Sequence, residues 1–303
     1  MSEQRRPGMD NPYYTYSALP DRPPLKLPGG ARVAMWVLLN LEYWEIVPPE
    51  DALKDPRTQG ELGAFFPDYR NHSQREHGMR IGIFRVLELL DRYGLKATVA
   101  INTAACERYP YLIEQCKKRG YEFAAHGDYA SRMISSKMPE ADERALIADG
   151  IAAVEKATGQ RPAGWHSQEF GESALTPALL AEAGLSYIMD WANDDQPYMM
   201  TAAGKSLVAV PYQAEWDDVQ MLWFRRVPMP RYPELVQEAF DTLYDEGAES
   251  GRIFSMGLHP WMIGQGHRIR YLDEALQRIT GRDGVWQPTA GEIADWFRAE
   301  HTA

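Results

Sequence analysis

The sequence is poor in the features that mark secreted and membrane proteins. Among its 303 residues there are only two cysteines, Cys106 and Cys116, and their spacing matches neither a CxxC motif nor a metal site. We interpret both as packing residues of a protein kept in a reducing compartment. No apolar run approaches the roughly 18 to 20 uncharged residues that cross a bilayer, and the longest run, residues 33–39, has the length of a strand. Residues 1–30 are polar and proline-rich and lack the apolar core of a secretory signal, so we expect a cytoplasmic protein that does not bind membranes.

Positive charge is scarce as well. The chain has 32 Lys and Arg residues against 43 Asp and Glu residues, a formal net charge of -11. A phosphate backbone requires clustered basic residues, so nucleic acids are disfavoured as partners. With 45% hydrophobic and 25% charged residues the composition is that of an ordinary globular protein. We expect an extended tail over residues 1–30 and a single domain over residues 31–303.

Short apolar or β-branched segments alternate along the chain with longer amphipathic segments. This alternation is typical of an α/β fold, in which helices cover the outside of a parallel sheet or barrel. The predicted strands cover residues 32–41, 97–102, 122–125, 163–166, 187–190, 207–211 and 253–258.

Helices are predicted between these strands. Residues 82–93 and 109–119 carry apolar residues at helical spacing, and each stretch is followed by glycine. Thr176 precedes a proline and predicts a helix start there, and Thr289 with Glu292 forms a capping box for the last helix. Residues 45–78 and 193–204 show no periodicity, so we predict that both are loops, the first of them rich in proline.

Ionisable side chains follow the ends of several predicted strands. Because strand ends of an α/β barrel converge on one rim, groups at these positions lie near one another. A lone histidine at a strand end is usually structural, but three histidines with carboxylates at one rim predict a functional site. The residues concerned are Asn40, Glu42, His126, Asp128, His166, Asp190, Asp194, Asp195 and His259.

Other histidines and the tryptophans near the strand ends are more ambiguous. His72, His77, His267 and His301 lie in predicted loops, at a helix start or in the tail, where surface or capping roles are usual. The tryptophans either pack in the core or form a wall that stacks on a planar ring. They are Trp44, Trp165 and Trp191.

The order of the motifs resembles one known family. The chain reads LNLEYWE, GIFRVLELLDRYGLKAT, an HG step, RPAGWHS, DWANDDQPY and GLHPWMIGQGHRI in succession, from about residue 32 to residue 296. This order is similar to that of the polysaccharide-deacetylase (NodB-like) superfamily, and closest to its branch of metal-independent allantoinases and cyclic imide hydrolases. The resemblance implies a distorted (β/α)7 barrel, hydrolysis of a carbon–nitrogen amide bond and assembly as a homotetramer.

The site residues depart from the pattern of the metal-dependent members. In those members an Asp pair on the first strand supplies a base and a ligand, and an HxxxH step supplies two more ligands. Here Asn40 and Glu42 occupy the places of the Asp pair, and His126 matches the first histidine. Ala130 stands where the second histidine would be, and alanine has no donor atom. We therefore expect no metal cofactor; if zinc is bound, its expected ligands are Glu42, His126 and Asp128, with His166 as the alternative to Asp128.

Loss of a metal is chemically reasonable only for an activated substrate. In an imide or a hydantoin-like ring, a neighbouring carbonyl delocalises the negative charge that develops on the leaving nitrogen. An unactivated acetamide depends more on polarisation by a Lewis acid. We therefore predict an amidohydrolase that opens a small cyclic amide, either a cyclic imide or a ureide such as allantoin.

The expected roles follow from the chemistry of each group. Glu42 is the expected general base, with its pKa raised by the apolar neighbours Tyr43 and Trp44. His126 and His259 are expected to polarise the carbonyl and protonate the leaving nitrogen, with Asp190 orienting one imidazole. The expected substrate-binding residues are Asn40, Trp44, His166 and Trp191.

Two other functions remain open at this point. One is a metal-dependent N-deacetylase of carbohydrate or peptidoglycan, which predicts an exposed aromatic groove and a bound divalent metal. The other is a catalytically inactive relative that only binds carbohydrate or stabilises an assembly. Retention of Glu42, Asp190 and the strand-end histidines argues against the inactive relative, since none of them is required for folding.

Overall fold

A parallel sheet forms the centre of the fold. The computed structural model describes residues 8, 10–50, 52 and 67–301, so residues 51 and 53–66 of the predicted loop at 45–78 and residues 1–7 and 9 of the predicted tail lie outside the described residues. The described strands are β1 Val33–Leu41, β2 Thr98–Ile101, β3 Glu122–Ala125, β4 Gly164–Trp165, β5 Tyr187–Ile188, β6 Tyr198–Ala202, β7 Lys205–Ala209, β8 Arg252–Leu258 and β9 Val285–Trp286. Their order is β6-β7-β5-β4-β3-β2-β1-β8, with β9 paired to the start of β1. The sheet curls into a partial barrel, which confirms the predicted fold class.

The hairpin of β6 and β7 corrects one prediction. All pairs are parallel except β6 with β7, and β6 lies inside residues 193–204, which were predicted to be a loop. Ala203 and Gly204, both at positive φ, join the two strands as in a tight hairpin turn. Met200 and Ala202 are buried whereas Thr201 is exposed, so the strand alternates over too short a stretch to be recognised.

Helices cover the outer face of the sheet. They are α1 Tyr69–His77, α2 Ile83–Arg92, α3 Thr103–Arg108, α4 Pro110–Lys118, α5 Glu140–Thr158, α6 Thr176–Glu182, α7 Tyr232–Glu246, α8 Ile269–Ile279 and α9 Ala290–His301. The part of the chain that the structure describes contains no helix long and apolar enough to cross a membrane.

Of the two predicted helix starts, only one has the predicted cap, and a third helix was not predicted. The predicted capping box is present, because Thr289 N donates to Glu292 Oε2 at 2.8 Å and Glu292 N donates to Thr289 Oγ1 at 3.2 Å. Thr176 does not cap α6; its hydroxyl donates instead to buried Glu143 Oε1 at 2.5 Å. Helix α1 lies in the predicted loop at 45–78, where Asp68 caps it by accepting from Asn71 N.

Alternation along β1 separates two cores and points toward the site. Met35, Val37 and Leu39 face the helices, whereas Trp36 and Leu38 fill the barrel interior. Side chains of a strand alternate, so Asn40 and then Glu42 extend the interior row to the carboxyl end of the sheet. Helix α9 packs against the interior core from the opposite end through Ile293, Ala294 and Phe297.

The gap between β8 and the far end of the sheet is bridged by polar groups. Gln213, which follows β7, donates from Nε2 to Ile253 O at 2.8 Å and accepts from Ser255 N at 2.9 Å. Ile253 N donates to Asp195 O, also at 2.8 Å. These bonds satisfy backbone groups of edge strand β8 that would otherwise be unpaired.

The described part of the N-terminal segment lies against the barrel. Arg22 forms a two-point ion pair with Asp194, with distances of 2.8 and 2.7 Å. Leu27 enters the interior core.

Cys106 and Cys116 are both buried free thiols, and burial raises the pKa of each to about 12, as expected of packing residues.

Candidate active site

A polar cleft opens at the carboxyl ends of β1, β3, β4 and β8. Its open volume is about 340 Å³, continuous with solvent. Five of the residues predicted from strand ends meet there: Asn40, Glu42, His126, His166 and His259. The complete lining is Asn40, Glu42, His126, His166, Gln168, Glu169, Phe170, Tyr212, Asp217, Val219, Gln220 and His259.

Glu42 lies at the floor of the cleft as an ionised carboxylate. Its Oε1 accepts from Gln168 Nε2 at 3.0 Å and lies 3.4 Å from His126 Nε2. Burial alone would raise the pKa of Glu42, but the contact with His126 and the charges of His259 and Arg75 hold it well below its usual range. The predicted increase in this pKa is therefore wrong, because cationic groups outweigh the apolar neighbours.

His126 and His166 form a stacked pair. Their ring centroids are 5.1 Å apart with an interplanar angle of 5°. His126 Nδ1 lies 2.6 Å from His166 O, and a carbonyl oxygen only accepts, so this nitrogen carries a proton. His126 therefore presents Nε2 to Glu42.

His166 is held by Asp190. Its Nδ1 lies 2.8 Å from Asp190 Oδ1, and Ser167 N donates to the same oxygen at 2.7 Å. Burial lowers the pKa of His166 more than the carboxylate raises it, and the charges of His126 and His259 lower it further. The ring is therefore neutral at neutral pH. Its Nδ1 carries the proton and donates it in a hydrogen bond to Asp190, and its Nε2 has a free lone pair.

His259 has the opposite charge state. Its backbone N and its Nδ1 both bind Asp218, at 2.8 and 2.7 Å, and Nδ1 lies 3.6 Å from Asp217 Oδ2. Burial would lower the pKa of His259, but the two carboxylates more than offset it and raise the pKa to about 10. His259 is therefore an imidazolium at neutral pH. Burial also raises the pKa of Asp218, to about 6.

Asp217 and Tyr212 connect this imidazolium to the wall of the cleft. The Tyr212 hydroxyl donates to Asp217 Oδ2, while Val219 N donates to Asp217 Oδ1 at 2.8 Å. Gly257 of β8 lies directly below, and a Cβ at this position would overlap the Tyr212 hydroxyl and the Asp217 carboxylate. Glycine is thus required for this arrangement.

Sequence reasoning missed several of these groups. Asp217 and Asp218 follow the predicted strand at 207–211, so inspection of that strand's end would have found them. Glu169 and Phe170 are consecutive non-glycine residues at positive φ, a strained turn of the kind that clusters at functional sites. No local pattern points to Phe170, which stacks on Tyr212 with ring centroids 5.5 Å apart.

Arg75 was also missed, because it lies in the region predicted to be a loop. Its guanidinium is sandwiched between the rings of Trp44 and Trp261, at 4.0 and 4.5 Å from their centroids. Arg75 is 6% exposed, and its charge lowers the pKa of Glu42. Arg75 thus affects the charge of Glu42 although it is not part of the cleft lining.

Four predicted site residues lie outside the cleft lining: Trp44, Trp191, Asp128 and Asp190, the last of which contacts lining residue His166. Trp44 packs on Arg75 and donates to Asp68, and Trp191 donates to Glu172. Neither tryptophan lines the cleft. The aromatic residues that line it are Phe170 and Tyr212. Asp128 is partly exposed and faces Arg132 at 3.5 Å. Trp165, the third of these tryptophans, is fully buried and packs in the core.

The donor set does not fit the metal site of the metal-dependent family members. Ala130 is buried where the second histidine would lie, and Asp128 does not approach Glu42 and His126 to form a three-ligand group. Within the described ranges, the group of three ligands that could hold an ion is Asp217, Asp218 and His259. Its carboxylates already accept hydrogen bonds from Tyr212, Val219 and the backbone N of His259.

A wider groove lies elsewhere on the molecule. It holds about 1320 Å³ between residues 14–25 and β6. Arg22 and Asp194 in this groove pair with each other, and no histidine–carboxylate pair faces it among the described residues. We place the candidate active site in the smaller cleft because its groups can transfer protons.

Comparisons with known proteins agree with this fold. The family model "Polysaccharide deacetylase" matches residues 77–188. The crystal structure of PuuE allantoinase is 27% identical, covers 93% of this chain and 95% of its own, and superposes with a TM-score of 0.82. A candidate polysaccharide deacetylase of Schizosaccharomyces pombe is 27% identical over 250 residues, 75% of each chain. A peptidoglycan deacetylase of Helicobacter pylori is 23% identical over 249 residues, 72% of this chain and 84% of that protein.

Proposed function

Because the chain belongs to the polysaccharide-deacetylase superfamily, whose members hydrolyse carbon–nitrogen bonds, we propose that it opens a small cyclic amide, either a cyclic imide or an allantoin-like ureide. One observation carries this proposal. An ionised Glu42 and a cationic His259 line one cleft, where the donors for the family's metal site are missing. Such a site suits a substrate whose leaving nitrogen is already activated. The likeness to PuuE allantoinase over most of both chains supports the same class of substrate.

The proposed reaction divides proton transfer between the two groups. Water attacks the ring carbonyl and forms the new carbon–oxygen bond, while Glu42 accepts the proton that the water loses. His259 Nδ1 is occupied by Asp218, so the Nε2 proton is the one available for the carbonyl oxygen and then for the leaving nitrogen. The carbon–nitrogen bond breaks, the nitrogen takes this proton, and the proton on Glu42 returns to His259. The product is an open chain with a carboxylic acid and an amide or ureide.

The shape of the cleft supports a small planar substrate. Phe170 and Tyr212 form one wall with nearly parallel rings, at an interplanar angle of 16°. Asn40 and His166 line the same cleft and supply polar groups for the ring amide.

The decisive experiment is a hydrolysis screen with metal analysis of the same preparation. The substrates are allantoin, hydantoin, succinimide, phthalimide and N-acetylated sugars. We expect turnover of at least one cyclic amide and none of the N-acetylated sugars. Turnover of the sugars alone would overturn the proposal in favour of the second candidate, an N-deacetylase. That candidate is favoured by the similarity of the chain to the Schizosaccharomyces pombe and Helicobacter pylori deacetylases and to the polysaccharide deacetylase family model.

Two further features are part of the proposal. The cytoplasmic location stays a prediction, and the two buried free thiols fit a reducing compartment. The homotetramer implied by the resemblance stays a prediction. Light scattering at micromolar concentration should give four times the mass of one chain, and a single-chain mass would contradict it.

A further inference from the structure

The carboxylate that holds His166 has an unusual second oxygen. Asp190 Oδ1 accepts from Ser167 N and from His166 Nδ1. Asp190 Oδ2 is buried, and within the described residues no N–H, hydroxyl or amide group donates to it. An unpaired buried carboxylate oxygen is costly, so a donor must be sought among groups that can carry a proton.

Glu172 is the group in contact with this carboxylate. Its side chain is hydrogen-bonded to Asp190, and its Oε1 accepts from Trp191 Nε1 at 3.1 Å. Two ionised carboxylates have four acceptor oxygens and no donor, so carboxyl groups in hydrogen-bond contact share one proton. Asp190 already accepts two N–H bonds, which favours its ionised form. The shared proton therefore belongs on Glu172.

The surroundings of Glu172 favour its neutral form. Burial, the charge of Asp190 and the charge of Glu143 on α5 raise the pKa of Glu172 to about 9. Tyr13 of the N-terminal segment and Tyr198 of β6 also face it, and the pKa of each is raised, so both stay neutral.

We propose that Glu172 is a positioning residue that donates its proton to Asp190 Oδ2 and thereby fixes the proton of His166 on Nδ1. His166 Nε2 then faces the cleft as an acceptor, which would bind a ring N–H of the substrate. This last step rests on the proposed function; the proton arrangement does not.

The arrangement has a defined consequence at alkaline pH. When Glu172 ionises, Asp190 and Glu172 become adjacent carboxylates with no proton between them. Their repulsion displaces Asp190 from His166, and the preference for the Nδ1–H tautomer is lost. The change is expected close to the pKa of Glu172, about pH 9, below the pKa of about 10 at which His259 loses its proton.

The test compares Glu172→Gln with Glu172→Leu in the full-length protein. Glutamine can donate from Nε2 to Asp190 and accept from Trp191 at every pH, whereas leucine can do neither. Exposed Glu182 on α6 provides the matched control, Glu182→Leu. The readout is the nitrogen-15 NMR spectrum of labelled histidine, with the His166 signals identified by their loss in His166→Asn.

In the wild type we expect the Nδ1–H tautomer of His166 from pH 6 to 8 and its loss between pH 8 and 10. Glu172→Gln should keep the tautomer to pH 10, and Glu172→Leu should lose it at pH 7 with kcat/KM lower by about 10-fold. The proposal fails if Glu172→Gln loses the tautomer at the same pH as the wild type. It also fails if Glu172→Leu, folded by circular dichroism, keeps it.

A stability measurement on Glu172→Gln tests the proposal even if Glu172→Leu does not fold. The folded chain keeps a proton on Glu172 that the unfolded chain releases above about pH 4.3, so native stability falls as pH rises toward 9. Glu172→Gln should therefore gain in Tm relative to the wild type between pH 5 and pH 9, and a constant difference overturns the proposal. Neither readout requires turnover, so failure of the cyclic-amide screen with the expected NMR result would overturn only the proposed function.

Discussion

Two histidine–carboxylate pairs on opposite sides of the cleft have opposite charge states. His259 lies near two carboxylates, Asp217 and Asp218, and its pKa is raised to about 10. His166 lies against Asp190 alone, next to the other histidines, and its pKa is lowered. His166 is buried and His259 is partly buried, and both make a contact of less than 3 Å to a carboxylate oxygen.

The difference shows that the number of nearby charges, rather than the type of pair, decides the protonation state. Two carboxylates outweigh the desolvation of an imidazolium, and one carboxylate near cationic neighbours does not. One side of the cleft therefore supplies an acid and the other side supplies bases and acceptors, a division that recurs in hydrolytic sites. The variants below are ordered by the size of the effect expected.

Glu42→Gln should have the largest effect. Glutamine is nearly isosteric but cannot accept the proton of water, so we expect kcat to fall at least about 100-fold with little change in Tm. The loss of the Glu42 charge should also lower the pKa of His259. Full activity on the best ring substrate would move the base to the His166–Asp190 side of the cleft.

Gly257→Ala tests the geometry of the acidic side. A Cβ at Gly257 would overlap the Tyr212 hydroxyl and the Asp217 carboxylate, so we expect a loss of about 1–3 kcal/mol in the free energy of unfolding and at least about 10-fold in kcat/KM. Gly266→Ala is the control, since the atoms nearest to a Cβ there are 3.9 Å away. Equal activity of both variants would show that Asp217 does not act through its bond to Tyr212.

Asp218→Asn sharpens the contrast between the two histidines. It removes one of the two charges that raise the pKa of His259, so the alkaline limb of kcat/KM should move from about pH 10 to lower pH. We expect a fall of about 10-fold at pH 9 and a smaller one at pH 7. The contribution of protonated His259 to stability is complete below its ordinary pKa of about 6.5 and is lost as pH rises through about 10, so the stability of the variant should depend less on pH over this range. An unchanged pH profile would contradict the assignment of His259 as the acid.

Chelation should have the smallest effect. Because the family's metal donors are not assembled around Glu42 and His126, we expect full turnover after exhaustive treatment with a chelator. Asp128→Asn should also be close to the wild type, since Asp128 faces Arg132 outside the cleft. Loss of activity that added zinc restores would make Glu42 and His126 ligands and would favour the deacetylase function.

Much of the fold and part of the site could be predicted from the sequence. Each of the seven predicted strands overlaps an observed strand, because buried parallel strands are continuous apolar segments between helices. Strand β6 was missed because it alternates over too short a stretch, and helix α1 was missed because its polar residues give little periodicity. The placement of Asn40, Glu42, His126, His166 and His259 in one cleft followed from strand ends.

The sequence by itself determined which side chains reach the rim, because side-chain alternation and strand ends are local properties of the chain. It did not determine their charge. Asp218 and His259 are 41 residues apart in the sequence. Arg75, which lowers the pKa of Glu42, lies on helix α1, distant from Glu42 in the sequence. Only the tertiary structure brings these groups together, and pKa values depend on burial and on charges within a few ångströms rather than on sequence neighbours. That is why Glu42 was correctly placed while its predicted pKa shift had the wrong sign.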